Sequence, residues 1–410
     1  MREKALKGMK VLEMGQLIAG PSAGRLFAEF GAEVIKVEAP TTGDSIRSWR
    51  VVENGTSLWW YVQSRNKKSI AIDLRQPEGQ DIVRELARDV DIIIENFRPG
   101  TMEKWGLGYE QLKEINPGLI MVRVTGYGQD GPYRNKAGFG SIGEAMGGLR
   151  YLTGYPDRPP TRVGISIGDS ISALYAVIGS MMAIYHRDVK GTGKGQYVDV
   201  ALYESVFSLM ESMLPEYDRA GIIRERTGST LPGITPSNTY LCSDGRYVVI
   251  GANGDGIFKR LMIAIGHPEY ADDPRFENNA KRSEHSEFLD QLIENWTKSL
   301  AFGKVLEILD DAKVPAGSIY SIEDIVNDPH YNARGMIREF DVEGIGALKI
   351  PGIVPKLSET PGETEWVGPK LGEHTQEVLQ KSLNLTDEQI TKLESKGIIE
   401  LYRKSVNSST

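Results

Sequence analysis

Along residues 10–126, short apolar runs take turns with longer stretches whose apolar positions recur every three or four residues. KVLEM (10–14), EVIKVE (33–38), SIAIDL (69–74), DIIIEN (91–96) and LIMVRVTG (119–126) have strand length and β-branched content. SAGRLFAEFGA (22–32), PEGQDIVRELARD (77–89) and the segment Glu110 to Ile115 have helical spacing. Pro21 suits the first position of its helix and Gly31 the end. Strands alternating with helices predict an α/β fold, a Rossmann-like large domain whose mostly parallel sheet is covered on both faces. A long apolar helix from about Asp169 follows, then a strand QYVDVAL (196–202) and a helix from Tyr203 to Ala220.

Beyond Ala220 the period is lost, and the Gly, Pro, Ser and Thr of residues 221–239 read as a linker. Periodicity returns over 240–325, with a hairpin TYLCSDGRYVVIG, a helix GIFKRLMIAIG and helical stretches near 285–300 and 302–312, which predict a smaller α+β domain. Residues 326–372 read as a return linker, and 373–410 as C-terminal helices completing the large domain begun by 1–220, with a mobile tail VNSST.

Composition narrows the function classes. The net charge of −8 argues against a broad nucleic-acid surface, and no uninterrupted apolar run of about eighteen residues suggests a membrane span. A single cysteine, Cys242, allows no internal disulfide and fits a reducing cytoplasm; in a hairpin it is a structural residue. The histidines at 186, 267, 285, 330 and 374 form no metal-ligand spacing.

In an open parallel sheet ligands bind outside the carboxyl ends of the strands. That singles out Gly15 to Pro21, Asn96 to Gly100 and Gly126 to Lys136. The last contains GYGQDG, a formal dinucleotide fingerprint, but Pro132 and YRNKAGFG do not open the helix that fingerprint needs. Asp169 stands alone between a glycine turn and the long apolar helix, and alone it reads as an N-cap. Basic residues gather at Arg65, Lys67, Lys68, Arg98 and Lys104, and guanidinium forks suit phosphate.

Taken in order, several motifs resemble the class III CoA-transferase family, which includes formyl-CoA and carnitine CoA-transferases. They are AGP (19–21), GAEVIKVE (31–38), GD (43–44) before Arg47, RNKKSIAIDL (65–74), ENFRPG (95–100), the Gly/Tyr loop (126–128), GD (168–169) and LGEHT (371–375). The resemblance implies a pair of interlocked protomers, acyl-CoA and small carboxylic acids as substrates, and no tightly bound cofactor. It makes Asp169 the nucleophile, which the helix dipole would keep negative. It places Ile18, Ala19, Arg65, Lys67, Lys68, Asn96, Phe97, Arg98, Lys104, Gly126, Gly128 and Phe139 around CoA, with the two glycines offering backbone N–H groups to an oxyanion.

The chain departs from formyl-CoA transferases in having Ile18 for Gln, and Phe139-Gly140 where Tyr and an acid are common. The family's glycine-rich flexible loop is represented at most by GANGDG (251–256). EMGQLIAGP, LWWYVQSRNKKS, GEAMGGLRYLTG, LPEYD and LPGITPSN resemble members that use succinyl-CoA with malate, citramalate or itaconate. Arg47, Arg50 and Arg150 are then candidates for a distal carboxylate. The alternatives are an α-methylacyl-CoA racemase on the same fold, and an acyl-CoA-binding protein without catalysis.

Overall fold

The computed structural model describes residues 3–403, so the VNSST tail lies outside the described residues. The chain divides into two compact units: the residues up to Arg150 with Val163–Pro215 and those from Ala333 on, and Tyr151–Arg162 with Glu216–Asn332.

The larger unit opens with β1 (Lys10–Glu13), α1 (Ala19–Glu29), β2 (Glu33–Glu38), β3 (Lys67–Ile72), α2 (Pro77–Leu86), β4 (Ile92–Glu95) and β5 (Ile120–Thr125). It continues through α3 (Gly140–Met146), α4 (Ile167–Ile184), β6 (Tyr197–Ala201) and α5 (Leu202–Phe207). The smaller unit holds β7 (Ser237–Leu241), β8 (Tyr247–Gly251), α6 (Asp255–Ala264), α7 (Ser286–Lys298), α8 (Phe302–Asp311) and β9 (Ala316–Ser318). The chain returns with β10 (Ile337–Val342), β11 (Gly346–Pro351), α9 (Thr375–Leu383), α10 (Asp387–Ser395) and β12 (Ile399–Glu400).

The main sheet has the order β12-β3-β2-β1-β4-β5-β6, parallel throughout except for β12, which closes one edge antiparallel to β3. From β3 to β6 this is the doubly wound order, with its switch point between β1 and β4. Because strand residues alternate faces, Leu12, Ile35, Ile70 and Ile93 pack with Val83, Leu86 and Leu379, whereas Val11, Val34, Ile92 and Ile94 pack with Phe27, Ala173 and Ala176.

Helix α4 buries its small residues and exposes its large ones. Its helical period is present, but the buried face is made of Gly168, Ser172, Ala173, Ala176, Ser180 and Ala183, while Leu174, Ile178, Met182 and Tyr185 are exposed. Small residues let the helix lie close on the sheet: a Cβ on Gly179 would fall 2.6 Å from Val198 Cγ1. Ser172 and Ser180 donate to the carbonyls of Gly168 and Ala176, so their hydroxyls are satisfied in the core. With its continuation to Val189 this helix is long and apolar enough to cross a membrane by length and composition, but Asp169 and the serines interrupt its apolar run and one face is taken up by the sheet.

Other expectations change in detail. Pro21 is the third residue of α1. The helix expected over 203–220 is two, α5 and Met213–Ala220, with Glu211 between them at a positive φ that a helix cannot continue through. The return stretch contains a regular antiparallel pair, β10 and β11.

In the smaller unit, Tyr240, Val248 and Ile250 of the hairpin pack with Phe258, Leu261, Leu289, Ile293 and Val305. Residues 151–162 join this unit because the Tyr151 hydroxyl donates to Glu225 and the N–H of Gly228 to Gly154 O. Cys242 is buried, and burial pushes its thiol up, which makes it a poor nucleophile. GANGDG is the end of β8 and the start of α6, and buried Arg282 pins it by donating to Asn253 O and Asp255 Oδ1.

Candidate active site

At the switch point the loop after β1 is held from four sides. Asn96 Nδ2 donates to Gln16 O and Asn96 Oδ1 accepts from Gln16 N, both at 2.8 Å. The N–H of Leu17, a residue at φ 66°, donates to the Asp44 carboxylate at 3.0 Å. Gln63 Nε2 donates to Ile18 O at 3.0 Å, and Lys36 Nζ to Gly15 O at 2.8 Å. A non-glycine residue in the left-handed region persists only where its surroundings over-determine it. The result is a rigid turn presenting Ile18 and Ala19 at the start of α1. Sequence reasoning noted the GD pair at 43–44 without a task for it, and missed Gln63; their signal was only proximity to the family motifs.

Beneath this loop lies a buried ionic network that accounts for two of the expected CoA ligands. Lys67 is 0% exposed, with Nζ 2.6 Å from Glu13 Oε2 and donating to Pro21 O at 2.7 Å. Burial outweighs the Glu13 charge and lowers Lys67 to about 8. Lys36 bridges Glu13 and Asp44 at 2.9 and 2.8 Å; burial pulls it down, but Asp44, Glu13 and Glu38 together hold it above the usual lysine range. Arg65 is also buried, paired with Glu29 at 2.9 Å and donating to Pro351 O. Arg65 and Lys67 therefore face the interior and support the fold instead of lining a cofactor site. Lys68 is partly exposed but bridges Glu33 and Glu377. Arg47 is committed as well: it forms a fork with Glu38 at 2.7 and 2.8 Å and stacks on Trp60. Arg50 is exposed, stacked on Trp59, and Arg150 lies 3.4 Å from the buried Glu144.

In the loop after β4, Phe97 packs edge-on against Trp105 at 5.1 Å, and its N–H donates to Glu95. Arg98 and Lys104 are exposed. Glu95 is buried; burial lifts it to about 7 against the opposing pull of Arg123, 2.8 Å away. Arg123 is shared with Glu103, which sits on the same short segment as Lys104. A cavity of about 720 Å³ opens here, bordered by Pro99, Gly100, Glu103, Arg123, Gln129 and Arg134.

The glycines of the loop after β5 allow its close packing and turn geometry. A Cβ on Gly126 would lie 2.9 Å from Gly138 Cα, so this pair lets the loop close on itself. Gly128, at φ 88°, donates its N–H to Thr125 Oγ1 at 3.0 Å, which removes it as a ready oxyanion donor. The next N–H, of Gln129, goes to Asp199, which burial lifts above the usual carboxylate range. Tyr127, Tyr133, Asp199, Tyr203 and Glu204 border a second cavity of about 240 Å³.

Asp169 lies in the first turn of α4, as its third residue; Ser166 occupies the N-cap position, so the capping explanation fails. The carboxylate is partly buried and rests on the start of α3: a Cβ on Gly140 would be 2.1 Å from Asp169 Oδ2. Phe139, the residue before that helix, is 67% exposed. Ala19 at the start of α1 and Ala173, one turn beyond Asp169, belong to one packed cluster. The Ile18–Ala19 turn and the Asp169 turn are thus the starts of two helices packed side by side, an arrangement in which both N-terminal dipoles favour anions. Among the described residues no group of His, Cys, Asp and Glu is arranged to hold a metal.

The chain is 52% identical over 397 residues to succinyl-CoA–D-citramalate CoA-transferase of Chloroflexus aurantiacus, covering 97% of this chain and 98% of the relative. It is 42% identical to the succinyl-CoA–L-malate CoA-transferase beta subunit of the same organism, over 96% and 98%. A solved CAIB/BAIF family protein from Brucella suis superimposes with a TM-score of 0.81 at 35% identity, over 93% of this chain and all of that one. Residues 6–375 match CoA-transferase family III, and the chain belongs to that family.

Proposed function

We propose that this CoA-transferase moves CoA from succinyl-CoA to a small dicarboxylic acid of the citramalate, malate or itaconate type, with Asp169 as the covalent nucleophile. The observation that carries the reading is the placement of Asp169, a partly exposed carboxylate in the first turn of α4. The names of the relatives at 52% and 42% identity support the choice of acids.

In the first step an Asp169 oxygen attacks the succinyl carbonyl carbon; the C–S bond breaks and CoA leaves as thiolate, giving an aspartyl-succinyl anhydride. The thiolate then attacks Cγ of Asp169 and expels succinate, leaving aspartyl-CoA. The acceptor carboxylate attacks the same Cγ, releasing thiolate and forming a second anhydride. Attack of the thiolate on the acceptor's acyl carbon releases the new acyl-CoA and restores the carboxylate. No proton needs to change hands, so no acid/base pair is required. What the site must provide is exclusion of water from an activated acyl group. Arg98 and Lys104 are the exposed cations beside the loop after β4 and are assigned to the CoA phosphates. Of the three arginines considered for a distal carboxylate, Arg47 is withdrawn by its Glu38 fork.

A homodimer is part of the proposal, and the exposed apolar face of α4 supports it: Leu174, Ile178, Met182 and Tyr185 form one stripe, with Met182 68% exposed. If the protomers interlock, subunits labelled separately will not exchange without unfolding. The substrate reading is tested by screening succinyl-CoA against mono- and dicarboxylates. Transfer to four- and five-carbon diacids supports it, and a preference for monocarboxylates such as formate overturns it.

A further inference from the structure

Gly140 is a glycine whose backbone does not need one. It is the first residue of α3, it is not among the glycines with positive φ, and the extended residue before it, Phe139, delivers an ordinary helix start. An alanine would suit that backbone better. What stands in the way of a side chain is one group: the atoms nearest a Cβ at 140 are Asp169 Oδ2 at 2.1 Å, Cγ at 2.7 Å and Oδ1 at 3.1 Å. The whole Asp169 carboxylate lies against the bare Cα.

Gly143, within α3, and Gly147, just past its end, meet something different. A Cβ on Gly143 would lie 2.8 Å from Leu202 Cβ and 3.1 Å from its backbone, and one on Gly147 would lie 2.6 Å from Val206 Cβ and 2.8 Å from Tyr203 O. Those contacts are with packed side chains and backbone, so substitution there strains the fold. At Gly140 the contact is with the end of a short side chain, which can turn away. On the Asp169 reading above, we infer that Gly140 is a positioning residue. Its missing side chain is what lets the nucleophilic carboxylate lie flat on the first turn of α3, and a methyl group there would rotate the carboxylate out of line while leaving the protein folded.

The effect should appear in turnover. Misplacing a reacting atom by about 1 Å costs on the order of 100-fold in rate. The full chain and its Gly140→Ala, Gly143→Ala and Asp169→Asn variants are compared by exchange of radiolabelled succinate into succinyl-CoA, with melting temperature measured in parallel. Gly140→Ala is expected to lower kcat by about 100-fold, with KM for succinyl-CoA within twofold and an unchanged melting temperature. Gly143→Ala is expected to lower the melting temperature and keep its kcat per folded molecule. Normal kcat in Gly140→Ala, a change confined to KM, or loss of folding in that variant would each overturn the inference. Asp169→Asn separates it from the reading it rests on: abolished exchange there leaves Gly140 to stand or fall alone, and persistent exchange removes the nucleophile itself.

Discussion

Lys67 is the sharpest test of what the buried network does. The resemblance placed it at CoA, whereas the structure gives it no exposure, an ion pair of 2.6 Å with Glu13 and a bond to Pro21 O. Lys67→Met keeps most of the stem and removes the charge. Breaking a buried pair by deleting one partner costs about 3–5 kcal/mol. The lower end applies, because Glu13 keeps Lys36 at 2.9 Å. At about 2 °C per kcal/mol, that is a melting temperature lowered by roughly 6 °C. Urea unfolding measures the energy and steady-state kinetics measures KM for succinyl-CoA, which we expect to change less than twofold in the folded enzyme. The reasoning is refuted by stability within about 0.5 kcal/mol of the parent together with a tenfold rise in KM. Adding Glu13→Gln sharpens the result, since Lys36 still holds Asp44 at 2.8 Å. The double variant should lose at least about 1 kcal/mol less than the sum of the two singles.

Asn96→Ala strips Gln16 of both its amide partners, and a stability loss of about 2–3 kcal/mol with a raised KM for acyl-CoA is expected, readable by urea unfolding and initial rates. Glu95 stands at about 7 in the folded chain against 4.5 unfolded, so the unfolded chain ionises first and this group's contribution to stability is lost as pH rises from 4.5 through 7. Glu95→Gln, which cannot ionise, should therefore gain on the parent between pH 5 and pH 8 by at most about 3 kcal/mol; a difference flat with pH would contradict this. Met182→Glu puts a charge on the exposed stripe of α4 and should lower the dimer's resistance to urea unfolding, while a monomeric parent in equilibrium sedimentation would remove the dimer from the account.

The alternation of strand and helix was legible because each element carried its own period, and the parallel order followed from the connections. The loops at the switch point were legible as positions but not as tasks. Nothing in RNKKS distinguishes a lysine for phosphate from one neutralising Glu13 two strands away, because the pairing is made by the sheet order. The same holds for Arg47 and Glu38, nine residues apart and joined by a turn. Helix α4 shows the limit of periodicity: the large apolar residues mark a face, but whether that face meets the sheet was decided by the small residues opposite. Gly140 was visible as a departure from the family's acid, and only the fold brings Asp169 onto it.

The central claim is that Asp169 carries the acyl group and CoA in turn. The direct measurement is to incubate the enzyme with succinyl-CoA, trap with hydroxylamine and map the modified peptide, with a parallel turnover using an acceptor labelled with heavy oxygen in its carboxylate. The account predicts a hydroxamate at Asp169 and one labelled oxygen delivered to its side chain. Modification at another residue, or an unlabelled Asp169 after turnover, would contradict it.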